Sequence, residues 1–167
     1  MNPDGSDSLS IDEFVEYCRT QAGLLSGSVE RMGTEVADLL DELDEETAAI
    51  RSLLEDRSDD PPGPATPVAG VSPDSTAVDV ETIEELEAAI ETKQTLVEAK
   101  QARMRAHQEL AAAYTELAES LQSEAEDGRE AMDRVVRFEG DHDAPAYFPD
   151  RQTVYEAATS DRQTDPS

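Results

Sequence analysis

Carboxylates and an imidazole crowd together at Glu139, Asp141, His142 and Asp143, the one dense group of potential metal ligands in this chain. Oxygen and imidazole donors of this kind suit a divalent cation. Neighbouring residues of a loop cannot all point inward, however, and no matching second cluster accompanies them. Asp141, His142 and Asp143 therefore stand as candidate metal ligands set against the plainer expectation of an acidic surface loop. His107 lies on the helical seam near Arg103 and Met104 and reads as a packed histidine, or one reaching solvent, rather than a catalytic base. Cys18 is the single cysteine, which excludes an internal disulfide. It falls on an apolar stripe and reads as a small buried hydrophobe, with a redox-linked contact between subunits as the sharper alternative. Gly-rich phosphate loops, GxSxG, CxxC and HExxH are all absent from the sequence. No catalytic residue and no cofactor is expected, and the chain reads as non-enzymatic.

Composition narrows the classes further. Forty Asp and Glu face 13 Lys and Arg over 167 residues, a formal net charge of -27. Only Lys93 and Lys100 are lysine. This style of composition resembles that of halophilic archaea, where molar salt shrinks the Debye length to about 3 Å and screens self-repulsion. Mimicry of nucleic acid is the competing reading of the charge. Direct binding to nucleic acid is not expected, because no basic stripe exists to meet phosphates. The polar, acidic N-terminus argues against a signal peptide, and no apolar run approaches the ~18 residues of a membrane span. A cytoplasmic protein is expected.

The elements that would position these residues are helical. Leu9, Ser10, Glu13 and Phe14 form a capping box with a candidate hydrophobic staple. From there apolar residues return at alternating steps of four and three: Ile11, Val15, Cys18, Ala22, Leu25, Val29, Met32, Val36, Leu39, Leu43, Glu46, Ile50, Leu53. That is a coiled-coil seam with one polar slot, Glu46. Gly23, Gly27 and Gly33 lie on or beside the outer face and mark soft spots. Five of the nine prolines fall between residues 57 and 78, which predicts a flexible linker. A second seam follows, with Asp79 as its N-cap and Val78 and Ile83 placed to staple it: Ile83, Leu86, Ile90, Lys93, Val97, Lys100, Met104, His107, Ala111, Tyr114, Ala118, Leu121, Ala125, Gly128, Met132, Val135. Leu96, Leu110 and Leu117 lie one place off it, a wide stripe suited to more than one neighbour.

The expected organisation is all-α: a disordered start (1–9), a first coiled-coil helix (10–56), the linker (57–78), a second helix (79–139), a loop with a short helix capped by Asp150 (140–159), and a disordered tail (160–167). The first helix should span roughly 69 Å at 1.5 Å per residue. A parallel return would stretch the linker to its limit, whereas an antiparallel hairpin needs only the ~10 Å between axes. The hairpin sets residue i opposite a residue near 139 minus i, so Glu46 meets Lys93 as a register-selecting pair. The same fold gathers Phe14, Tyr17, Phe138, Tyr147, Phe148 and Tyr155 into an aromatic cap at the open end. Two helices alone bury a narrow seam, so self-association into a four-helix bundle, or pairing with another helical protein, is expected. The functional expectation is a coiled-coil scaffold. The alternative is an acidic decoy or chaperone for basic DNA-binding proteins.

Overall fold

The computed structural model describes residues 9–58 and 73–163, for 58, 73–79 and 163 the backbone alone. The described residues form four helices, α1 (Ile11–Ser58), α2 (Pro73–Glu124), α3 (Gly128–Asp141) and α4 (Val154–Gln163), with a 3₁₀ turn at Ala144–Tyr147 before α4. α1 and α2 pack against each other as an antiparallel hairpin. Contacts divide the chain into two compact units. The first runs to Glu30 and resumes at Met104, and the second spans Arg31–Arg103.

α1 begins where the capping box sets it. The Glu13 N–H donates to Ser10 Oγ at 3.2 Å and the Ser10 N–H donates to Glu13 Oε2 at 3.3 Å, so two otherwise orphaned amides are satisfied reciprocally. α2 starts at Pro73, six residues before the expected Asp79 cap. Proline suits a first helical position because its missing N–H would have no partner there. The Val78–Ile83 staple and the Asp79 cap fall on side chains outside the description. The same holds for residues 1–8, 59–72 and 164–167. Every seam position named above is buried or half-buried.

The single helix expected over 79–139 is two. α2 stops at Glu124, and Asp127, with extended backbone, caps α3 by accepting the Glu130 N–H at 2.8 Å. Glu130 reciprocates by accepting the Glu126 N–H at 3.0 Å. Arg134 then clasps the corner, donating to Ser120, Glu124 and Glu130. Gly128 is required at this corner: a Cβ there would sit 1.5 Å from the carbonyl oxygen of Leu9, which crosses the first turn of α3. The seven-residue repeat runs through this break without a change of phase, which is why it was invisible in the apolar pattern.

The second correction concerns the C-terminal helix. Its cap is Thr153 and not Asp150. Thr153 Oγ1 accepts the Glu156 N–H at 3.3 Å while Glu156 Oε2 accepts the Thr153 N–H at 3.1 Å, a complete capping box. The helix continues to Gln163, four residues into the stretch expected to be disordered.

In the first unit a single core unites the hairpin with the C-terminal elements. Phe14, Val15, Cys18 and Leu25 of α1 meet Leu110, Tyr114, Ala118 and Leu121 of α2, together with Ala131 and Val135 of α3, Ala144 and Phe148. This resolves two of the three off-seam leucines. Leu110 is 4% exposed within that core, and Leu117 packs against it. In the second unit Leu96, at the same heptad position, is 43% exposed.

Candidate functional site

The most constrained chemistry lies inside the first unit, on a carboxylate that the sequence had grouped with surface acids. Glu139 projects from the buried side of α3, which carries Gly128, Ala131, Val135 and Glu139 at steps of three and four. It is wholly sealed from solvent. The hydroxyls of Tyr114 and Tyr17 donate to its Oε2 at 2.6 and 2.8 Å, and the Tyr155 N–H donates to Oε1 at 3.1 Å. All three partners donate, which suits the ionised, acceptor-only form. Tyr155 lies in the first turn of α4, so the positive end of that helix also faces the carboxylate. No Lys or Arg reaches it among the ion pairs of the described residues. A buried charge without a counter-ion is tolerated only when hydrogen bonds replace its hydration, and here three do so.

The network extends one shell outward. Tyr17's oxygen accepts from Gln21 Nε2 at 3.2 Å and from the Val154 N–H at 3.3 Å. One hydroxyl thus joins α1, α3 and the start of α4. Burial foremost, then the charge of Glu139, holds the Tyr17 hydroxyl well above its ordinary range. For Tyr114 the causes are burial and then its hydrogen bond to Glu139. Cys18 shares the setting: burial and the nearby carboxylate push its thiol up to about 12. That is a protonated, inert thiol, as expected of a packed cysteine.

This arrangement ties α1, α2, α3 and the start of α4 together within the first unit. Glu139, Tyr114, Cys18 and Gln21 are all closed to solvent. An open groove of about 430 Å³ on the first unit is lined by Ala22, Ser26, Val29, Glu30, Gln108, Ala111, Ala112 and Thr115, with no histidine, cysteine or acid pair among them.

The other candidates fall as follows. Asp141, His142 and Asp143 are exposed at the end of α3. His142 serves as its C-cap and lays its ring 4.2 Å from that of Phe138. Its Nδ1 lies 2.9 Å from the Phe138 carbonyl, which can only accept, so that nitrogen carries a proton. Asp143 takes a left-handed backbone with φ 51. Among the described residues no three His, Cys, Asp or Glu side chains gather as a metal site. Glu139 has turned inward, away from the loop acids. His107 is buried against Tyr147, edge to face at 5.1 Å.

The aromatic residues meet in the first unit. Phe14 and Phe148 enter the core, Tyr17, Phe138 and Tyr147 pack against it, and the Tyr155 ring lies over Gly140. At their centre is Tyr114, 4.8 Å from Phe138 and 6.2 Å from Phe148. Tyr114 holds a seam position in the middle of the sequence, and only the fold brings the terminal aromatic residues around it. In the second unit Lys93 Nζ bonds Glu46 Oε1 and lies 3.1 Å from Glu42, and Lys100 pairs with Glu35. These partners, and the Arg19–Gln122 bond in the first unit, follow the 139 minus i register to within about a helical turn.

Among the described residues no helix is long and apolar enough to cross a membrane. No family model matches this chain, and no curated protein or solved structure does either.

Proposed function

We propose that this chain is a non-enzymatic helical interaction protein, acting as a scaffold or adaptor through the second unit, residues 31–58 and 80–103 of its hairpin. One observation carries this reading. In that unit only Met32, Val36 and Val97 of the seam are buried, whereas the other described seam residues remain half open to solvent. Leu40, Leu54, Val80 and Leu96 are exposed beside them. Two helices with such flanks gain stability when a further helix covers them. In the first unit α3, α4 and the 3₁₀ turn supply extra layers on the hairpin, and nothing equivalent exists among the described residues of the second. The occupant is either a second copy, completing a four-helix bundle, or another helical protein.

The net charge of -27 favours a second reading, an acidic decoy or chaperone for basic proteins. The two separate by salt. Apolar helix association strengthens as salt rises, whereas charge capture weakens. Sedimentation velocity from low to molar salt, joined to carboxylate-reactive crosslinking in native extract, tests the first. A chain that stays monomeric at every salt and yields no crosslinks through 31–58 or 80–103 rules it out.

A further inference from the structure

Resting on that reading, we infer that one flank of the second unit is a docking strip for a basic amphipathic helix of a partner protein. The ion pairs define the flanks. Glu35 and Glu42 reach across to Lys100 and Lys93, so that side of α1 is closed by charge. Leu40 and Leu54 lie on the other side of the α1 seam, two heptads apart and 44% and 48% exposed. They are about 21 Å apart along the helix. Val80, 40% exposed, holds the like heptad position on α2. In an antiparallel pair like positions share a flank. The groove of the first unit shows this directly, since Ser26 and Gln108 at those same positions line it together.

Charge selects the occupant. Among the described residues the strip is edged by Asp44, Glu84, Glu87 and Glu91, all exposed, against two bases, Arg51 and Arg57, which stand three residues either side of Leu54. Laying a second copy of the strip on the first would press carboxylates against carboxylates, which like-charge pairing disfavours. A helix with apolar residues on a heptad seam and Lys or Arg on its borders meets both features at once. The partner is thus recognised by apolar anchors and fixed in orientation by its basic rim.

The test uses the full chain and two fluorescent peptides of about three heptads each, one of Leu and Lys, the other of Leu and Glu. Fluorescence anisotropy should show the Leu/Lys peptide binding and the Leu/Glu peptide not. Leu40→Ser combined with Leu54→Ser leaves every charge in place and should weaken binding by about tenfold or more at equal salt. The Leu24→Ser control, exposed elsewhere on α1, should leave it unchanged, with helical content equal in all variants. Equal binding by the double variant would reduce the effect to bulk charge and overturn the inference. So would no Leu/Lys binding by a chain that self-associates through these leucines, an outcome that leaves the proposed function standing. A chain that neither binds the peptide nor associates removes both.

Discussion

The Tyr114 hydroxyl stands 2.6 Å from Glu139 Oε2, and both residues are fully shielded from solvent. They come from α2 and α3, and the same oxygen takes the hydroxyl of Tyr17 from α1. Because Oε1 takes the Tyr155 N–H, the carboxylate joins four segments of the chain at one point. Glu139→Gln keeps the shape but puts an NH₂ group against donors, so one or more hydrogen bonds must be lost. Bonds to charged groups contribute about 1.5–3 kcal/mol each, and a loss of roughly 2 kcal/mol is expected. Chemical denaturation measures it. Limited proteolysis should cut the variant first between α3 and α4, and unaltered stability and cleavage would show that the carboxylate is not what holds the C-terminal segment in place.

Alkaline behaviour follows from the same cluster. Tyr17 and Tyr114 keep their protons in the folded chain far above the ordinary value of 10.0. The unfolded chain releases those protons near pH ~10. Their contribution is fully present below that value and is lost as pH rises past it, because the unfolded state alone gains by ionising. Denaturation midpoints should therefore fall as pH climbs above about 10. The Tyr17→Phe/Tyr114→Phe double variant should show a shallower slope. Cys18 moves in the same direction, from 9.0 to about 12. It should resist thiol reagents near pH ~8 in the native chain and react once the chain is unfolded.

How far the sequence carried the fold depends on which signals were local. The Ser10–Glu13 box and the alternating three-and-four steps are local, and each is found in place. The pairing of Glu46 with Lys93 required only one added fact, the antiparallel return. Glu139 was missed even though it carries the same signal as Glu46: four residues beyond Val135, it takes the next place on the second seam. It was read with the loop acids because its partners, two tyrosines distant in sequence, are brought to it only by the fold. The break at Asp127 was missed because polar capping interrupts the backbone without disturbing the apolar phase. Thr153 as the cap of α4 is equally legible, since Glu156 three residues on completes a capping box, whereas the residue three places after Asp150 is a threonine that cannot.

Lys93 lies between Glu42 and Glu46, with its side chain 23% exposed and that of Glu46 19% exposed. The two carboxylates raise the lysine's proton affinity, chiefly through their hydrogen bonds to it. Lys93→Glu places three acids together and should lower the melting temperature by a few degrees. The Glu46→Lys/Lys93→Glu exchange should recover much of that loss. Glu46→Leu/Lys93→Leu should melt higher than the parent, since apolar replacement of a partly buried pair is often stabilising, but with looser choice of register and partner. Thermal melts followed by circular dichroism rank the series. Equal melting of Lys93→Glu and the parent would remove the pair from any role in the hairpin.

The glycines divide into two kinds with opposite expected effects. A Cβ on Gly128 would lie 1.5 Å from Leu9's carbonyl oxygen and 2.2 Å from its carbonyl carbon, both backbone atoms that cannot swing aside. Gly128→Ala must lift the start of α1 from the first turn of α3, and overpacking of this kind costs about 1–3 kcal/mol. Gly23 and Gly27 stand in open space, where an added Cβ meets nothing within 4 Å. Each sits inside α1, where glycine is about 1 kcal/mol less favourable than alanine. Gly23→Ala and Gly27→Ala should therefore each stabilise by up to ~1 kcal/mol, and their effects should nearly add if the two sites act independently. Urea midpoints for the three variants distinguish the cases. A neutral Gly128→Ala would place Leu9 away from α3, and a destabilising Gly27→Ala would reveal a neighbour closing on that face of α1.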